Sequence, residues 1–486
     1  MNRALNKKDF DAVVVGSGPN GFAAAITLQM QGLSVLIIEA KETIGGGLRT
    51  ESITLPGFLH DICSAVHPMA VNSSFFQSLP LSQYGLEYIY PPVDAAHPFD
   101  DGSSAILKKS LEETALSLDG DQSSYIELIR PLLKNWPVIK DELLSPFHFP
   151  RHPMEVAQFA IKGLQPATML ARAFREQKAK GLWAGVAAHA IQPLTNIATS
   201  AIGLVMLLLA HKKGWPVIRG GSAKISDALA AYFISLGGKI ETGRPISTLS
   251  QLPSATAVLF DVTPRQLIQI AGHSFSLFYK WQLKRYRYGM GVFKIDWALS
   301  EPAPFISTDA RMAGTVHIGN TFEEIVQGEW QTSRGVQSEK PFVIFTQPSV
   351  FDASRAPCGK HTAWAYCHVP HGSAKDMTAA IENQVERFAP GFRERILARH
   401  TMNTRELENY NANYIGGDIN GGLLDIEQLF TRPALRSSPY RTSSRGLYIC
   451  SSSTPPGGGV HGMCGYHAAK RALKDMFAID LREMTP

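Results

Sequence analysis

Residues 10–40 read FDAVVVGSGPNGFAAAITLQMQGLSVLIIEA, and the fold is decided by how that stretch divides. Ala12 to Val15 is a short β-branched run of the kind that forms a strand buried on both faces. The chain then turns through Gly16, Ser17, Gly18, Pro19, Asn20 and Gly21. Phe22, Ala25, Ile26 and Met30 follow at helical spacing, Gly32 is placed to end that helix, and Val35 to Ile38 make a second buried strand. Glu39 and Ala40 close the unit. In such a strand–turn–helix–strand unit Gly16 permits the tight turn and Gly18 lets backbone N–H groups approach a pyrophosphate. Gly21 lets the helix pack close to the strand. The helix amino terminus offers unpaired N–H groups and a partial positive charge to phosphate. Glu39, eighteen residues beyond Gly21, is placed to accept from an adenosine ribose. An acid there selects FAD or NAD over NADP.

The rest of the composition sets limits. A chain of 486 residues, 44% hydrophobic and 18% charged, is expected to hold two domains with a substantial core. Its net charge of +5 is modest, and clusters such as Lys284–Arg287 are short, which argues for a solvated face and against nucleic-acid binding. Cys63, Cys358, Cys367, Cys450 and Cys464 are odd in number and never in CxxC spacing, which favours a reducing compartment and neither a disulfide framework nor a zinc site. His60, Cys63 and His67 lie close in sequence but lack metal-ligand spacing, so no metal is expected. The opening MNRALNKKDF lacks the apolar core of a leader, and the apolar run Ala201 to Ala210 is too short to cross a bilayer. A cytoplasmic protein is therefore expected.

Directly after Glu39, the segment Gly45-Gly46-Gly47-Leu48-Arg49 reads as a second close approach of backbone to an anionic ligand, with Arg49 as a phosphate partner. Residues ~76–214 read mostly as helices. Within them Pro150 to Gly181 mixes apolar residues with Lys162, Arg172, Arg175, Lys178 and Lys180. That pattern suits the cover of a core, the favoured reading, or contact with an anionic membrane surface. A further αβ unit runs from Val217 to Phe260. From ~266 to ~435 the pattern becomes antiparallel, with Phe293, Ile295, Trp297 and Leu299 alternating with Lys294, Asp296 and Ala298 as in a half-buried strand. Leu447 to Cys450, a Gly-rich turn and the helix from Met463 bring a second helix amino terminus to face a ligand. The expected architecture is α/β: a discontinuous Rossmann-like domain (1–75, 215–265 and 436–486) with an inserted α+β substrate domain (76–214 and 266–435) containing an antiparallel sheet.

These residues, with PGFLHDICSAVHP, GWPVIRGGS, YGMGVFKIDWALS, AWAYCHVPHG and STPPGGGVHGMCGYHAA, resemble the flavin amine oxidase and phytoene desaturase superfamily. The likeness is strongest to its phytoene-dehydrogenase-like branch, which includes the pyridine-nucleotide-disulfide-oxidoreductase-domain protein 2 type. The resemblance implies FAD. Gly16 to Gly21 with Glu39 and Ala40 would take the ADP part, and Gly46 to Arg49 the pyrophosphate region. Ile246 would face the adenine, Asp61 to Ser64 would pass the isoalloxazine, and Ser452 would lie near the ribityl phosphate. Gly459, Val460 and His461 would meet the flavin. His67 and His461 are the titratable groups placed near it, candidates for moving a proton or for a purely structural hydrogen bond.

Two departures from the family matter. Where flavin amine oxidases carry an aromatic residue in the last Gly-rich motif, this chain has Gly459 and Gly462, which disfavours an aromatic cage for an amine. A second dinucleotide fingerprint and a redox cysteine pair are also missing, which disfavours disulfide-reductase chemistry. The leading expectation is an FAD-dependent desaturase or dehydrogenase acting on an apolar substrate, with oxygen or a quinone as external electron acceptor. An amine or amino-acid oxidase, and a non-catalytic prenyl-binding protein of the GDP-dissociation-inhibitor type, are the alternatives.

Overall fold

The computed structural model describes residues 8–481; residues 1–7, most of the stretch read above for a leader, lie outside them, as do residues 482–486. The first unit is β1 (Phe10–Val15), α1 (Pro19–Gln29) and β2 (Val35–Ile38). The chain then leaves to build β3 (Val93–Pro98) and β4 (Ser104–Leu107). Helices α2 (Gln122–Leu143), α3 (Pro153–Gly163), α4 (Gln177–Ala187) and α5 (Thr199–Lys213) follow. It returns through α6 (Ala223–Ser235), β5 (Lys239–Glu241) and β6 (Ala255–Phe260). A second excursion supplies β7 (Gly291–Leu299), β8 (Ala313–Ile318), β9 (Val343–Thr346), β10 (His361–Val369), α7 (Thr378–Phe388) and β11 (Ile396–Met402). β12 (Leu447–Ile449) and α8 (Met463–Met476) come last.

Three separated stretches of chain thus share one five-stranded parallel sheet in the order β12-β6-β1-β2-β5. Ala12, Val14 and Ile37 pack on one side among residues of α1, α6 and α8, while Val13, Val15 and Ile38 pack on the other. Both faces are covered, which is why β1 and β2 read as unbroken apolar runs. The close packing depends on two missing side chains. A Cβ at Gly21 would lie 2.1 Å from the Gly16 carbonyl oxygen, and one at Gly465 would lie 1.8 Å from that of Asn20, where α8 crosses α1.

The second sheet has seven strands in the order β11-β7-β10-β9-β8-β3-β4. It is the antiparallel sheet expected, with one parallel pairing, between β3 and β8. Alternation along it separates two environments. Ala363, Ala365 and Cys367 of β10 point into a core with α7, leaving Trp364, Tyr366 and His368 on the opposite face. The reading of β7 as half-buried is corrected, because all nine of its residues are buried. Its polar face is turned inward, and Lys294 and Asp296 meet there as an ion pair out of solvent. Polar alternation cannot distinguish a face toward water from a face toward another layer.

Candidate functional site

A cavity of about 730 Å³ lies between the two sheets and their helices. Gly16 to Asn20, Glu39, Ala40, Gly46 to Arg49, Ser64, His67, Ile246, Ser452 and Gly459 to His461 all line it, though they come from seven separate stretches of sequence. Gly21 does not. Its N–H donates to Asp261 Oδ2 at 3.0 Å, and its missing side chain serves the helix–strand contact described above.

At the carboxyl end of β1 the wall is backbone. Gly16 has φ +103°, and a Cβ there would lie 3.1 Å from Asp261. A Cβ at Gly46 would come within 3.2 Å of the Gly18 Cα, so the two Gly-rich turns touch through their backbones. Gly18, at the amino-terminal cap of α1, brings no side chain to it, and Asp261 accepts from the Gly21 amide of the first turn. Glu39 holds the first turn in shape: Oε2 accepts from the Ser17 amide at 3.0 Å and from the Ser17 hydroxyl at 2.5 Å. Arg49 holds the second. Its guanidinium donates to Thr43 Oγ1, to the carbonyls of Thr43 and Gly46, and to Glu39. Arg49 therefore braces the loop, while it also lines the cavity in which the sequence suggested it as a phosphate partner.

Asp261, at the end of β6, was not singled out in the sequence. Burial, with Glu39 as a neighbouring negative charge, raises its carboxyl to about 7. Asn413 donates to its carbonyl and caps the Thr263 amide, tying the loop after β6 to the segment that carries Tyr410 and Tyr414. The sequence signal was an acid at a strand's carboxyl end, the same signal that picked out Glu39.

The two histidines separate. Ser222 Oγ donates to the Ser64 carbonyl at 2.6 Å, so it must accept from His67 Nε2–H at 2.8 Å. The Nδ1 of His67 is then a lone pair without a partner, on a ring that burial holds neutral, its pKa lowered to about 4. In His461, Nδ1 accepts from the Met463 amide at 2.9 Å and Nε2 faces the Gly457 carbonyl at 3.2 Å. Both nitrogens are spent on the turn, so the expectation that His461 moves a proton is corrected: it is a buried brace that caps α8. Asp61 is likewise structural. It pairs with Arg355 at 2.6 Å and accepts from the Ser222 amide and the Thr50 hydroxyl, so of the Asp61–Ser64 segment Cys63 and Ser64 reach the cavity. His60 bonds Thr54. Among the described residues no cluster of ligand-type side chains could hold a metal ion.

Away from the Gly-rich turns the wall is side chain. Trp136, Met206, Trp215, Ile344, Trp364 and Tyr366 line it, with Trp364 and Tyr366 stacked at 5.7 Å and 17°. The formally charged lining residues are Glu39, Lys41, Arg49, Arg244 and Asp261, all from the strand ends and loops of the first sheet. The second sheet and its helices add none. The Gly-rich turn at 457–462 has no room for an aromatic ring, since a Cβ at Gly459 would lie 2.4 Å from Met69 Sδ and one at Gly462 would lie 2.7 Å from Phe75. Sequence reasoning missed the aromatic wall, although AWAYCHV carried it as period-two alternation of small and aromatic residues.

Fold and site together define an oxidoreductase scaffold with a Rossmann-like dinucleotide-binding unit. Residues 14–78 match the model of the NAD(P)-binding Rossmann-like domain. The chain is 23% identical to the pyridine nucleotide-disulfide oxidoreductase domain-containing protein 2 of Rattus norvegicus, over 97% of this chain and 94% of that one. It is 23% identical to a limonene dehydrogenase subunit of Castellaniella defragrans, over 96% and 95%. It is 22% identical to the lycopene-forming phytoene desaturase of a Paracoccus species, over 55% and 56%. Among solved structures, an oxidoreductase from Methanosarcina mazei superposes with a TM-score of 0.63 at 15% identity, covering 95% of this chain and 99% of that one. The resemblance carried by the motifs thus extends over the whole chain.

Proposed function

We propose that this protein is an FAD-dependent oxidoreductase that takes a hydride from an uncharged, apolar substrate, forming a carbon–carbon double bond. The observation that carries the reading is the single cavity joining a backbone-lined nucleotide end to a chamber without formal charge. A protonated amine or an amino acid would need a counter-charge in that chamber, and the nearest lining carboxylates, Glu39 and Asp261, belong to the nucleotide end. That disfavours the amine-oxidase alternative. The names of two sequence relatives support an apolar substrate, limonene and phytoene, while putrescine oxidase and cyclohexylamine oxidase share the fold at 15–16% identity.

FAD fits the residues present. Gly16, Gly18, Glu39 and Ile246 all line the cavity, where the glycines would receive the pyrophosphate beside α1, Glu39 the ribose and Ile246 the adenine. FAD supplies the two-electron acceptor; the chain supplies the rest. The apolar chamber excludes water, the Trp364–Tyr366 wall orients the substrate, and His67, a neutral imidazole among the lining residues, would take the substrate proton. With a single dinucleotide motif, the electrons leave to oxygen or a quinone. Purification followed by acid release of the cofactor tests the reading, together with anaerobic bleaching of the visible spectrum by apolar substrates. Well-folded protein that holds no flavin and cannot be reconstituted with it would refute the reading and favour a prenyl-binding role.

A further inference from the structure

The chamber wall carries a polar device that hydride transfer leaves unused. His189 sits in the short turn Ala188–Ala190 at the end of α4, just before Ile191, whose φ is +51°. Ala198, at φ +70°, closes the same loop, and both residues line the chamber. A β-branched residue in the left-handed region is rarely tolerated. Two non-glycine residues in that region around one loop mark a segment held in place for what it presents.

The Nε2 of His189 lies 3.0 Å from the Nε2 of His317 on β8. Trp215 packs edge-on against both rings, at 5.6 and 6.0 Å. His317 is fully buried and its Nδ1 has no partner. A Cβ at Gly185 would lie 2.7 Å from that nitrogen, so Nδ1 faces a Cα–H of α4. Burial keeps both rings neutral, His189 being lowered to about 3. The pair therefore shares one N–H. If His189 gave it, His317 would carry its proton on Nδ1, a buried N–H aimed at carbon. If His317 gives it, that Nδ1 is a lone pair against a Cα–H, a tolerable contact. His189 then carries its proton on Nδ1, for which no partner exists among the described residues.

We propose that His189 Nδ1–H is a recognition donor for the substrate and that His317 is the positioning residue that fixes its tautomer. The chamber then takes an apolar molecule bearing one neutral acceptor oxygen (carbonyl, hydroxyl or ether) rather than a bare hydrocarbon. This rests on the chamber being the substrate site of the reading above. A neutral donor in an uncharged chamber favours a neutral acceptor and offers an ammonium group nothing to donate to at His189.

The test uses the purified holoprotein with menthone and p-menthane, a ketone and a hydrocarbon on one skeleton. Affinities come from calorimetry, and the bound carbonyl stretch from infrared difference spectroscopy. After correction for aqueous activity, menthone is expected to bind about tenfold more tightly, with its carbonyl band below the frequency in hexane. His189→Phe, which keeps an aromatic ring, is expected to erase the preference and the shift. His189→Gln, which keeps a donor, retains the shift, and His317→Leu leaves menthone bound but broadens the band as the tautomer is released. Equal preference in wild type and His189→Phe, an unshifted band, or no binding of either compound overturns the proposal. Flavin content is measured separately by acid release. A flavin-free protein that keeps the ketone preference would sink the redox reading and leave this one standing.

Discussion

At the nucleotide end of the cavity the wall is made of backbone, and what defines it is side chains that are missing: a Cβ at Gly16, Gly18 or Gly46 would press into Asp261 or the opposing turn. In the chamber the wall is made of side chains, and what defines it is which face of β8, β9 and β10 a residue occupies. The first kind of site announces itself in sequence, because glycine at fixed spacing has few other reasons to recur. The second does not, because Trp364 or His317 on a strand reads the same whether it faces a core, water or a ligand. The two ends also differ in charge: the first gathers Glu39, Asp261 and Arg49, while the second carries no formal charge.

The Asp61–Arg355 pair sits where the halves meet, both side chains about 1% exposed. Arg355 also donates to the Leu59 carbonyl. Replacing Arg355 with Met strands a buried carboxylate and is expected to cost about 3–5 kcal/mol in urea unfolding. Adding Asp61→Asn should recover part of that loss. A cost below about 1 kcal/mol for the single variant would mean that the two halves are joined elsewhere.

The charge contrast has a pH consequence. The Asp261 carboxyl, raised by burial to about 7, ionises near 4 in an unfolded chain. The folded protein keeps a proton that the unfolded chain has already released, so stability falls as pH rises from about 4 through about 7. This one group is expected to remove on the order of 2–4 kcal/mol across that window. Asp261→Asn keeps an acceptor for the Gly21 amide and removes the ionisation. It should match wild type near pH 4 and exceed it at pH 8. Parallel profiles would show that the carboxyl titrates normally.

Glu39 tests the nucleotide end directly. Glu39→Ala should weaken FAD retention by about 1–3 kcal/mol, the scale of a charge-assisted hydrogen bond, read as a raised dissociation constant on reconstitution. Part of that loss comes from the Ser17 contacts, which shape the turn. Ser17→Ala, which removes only the hydroxyl, therefore separates shape from ribose recognition. An unchanged dissociation constant in Glu39→Ala would put the ribose elsewhere.

The same contrast explains what was legible in the sequence. The Rossmann-like unit, the strands at 239–241 and 255–260, and the α7 helix were readable because apolar periodicity and glycine punctuation agreed there. Most residues proposed for the cofactor also line the one cavity. Arg49 and His461 read as ligand groups because a residue type reports what a side chain is able to do. Their actual partners, the Thr43 and Gly46 carbonyls and the Met463 amide, are backbone groups that no motif displays. Asp261 and His189 gained their roles through contacts to residues more than a hundred positions away, Gly21 and His317.

The smallest expected effect on stability comes from the outside of the chamber. Helix α3 lies on α5, whose Ala201 and Val205 line the chamber, and a Cβ at Gly163 of α3 would sit 3.4 Å from that of Ala201. The segment leading into α3 and its outer face expose Phe147 at 79%, Phe149 at 86%, Met154 at 81% and Ile161 at 71%. The favoured reading of this stretch as cover for a core therefore fails for Met154 and Ile161, while Phe159 of the same helix is buried. No helix among the described residues is long and apolar enough to cross a membrane. We propose that these apolar tips, beside Lys162, meet the headgroup region of an anionic bilayer. The triple variant Phe147→Ser, Phe149→Ser, Ile161→Ser should change unfolding free energy by no more than about 0.5 kcal/mol per site. It should lower flotation with phosphatidylglycerol vesicles about tenfold or more. Turnover of a substrate presented in vesicles should fall with flotation, while turnover of the same substrate in detergent stays put. Equal flotation of variant and wild type would leave the exposed face without a membrane role and confine the apolar chemistry to the chamber.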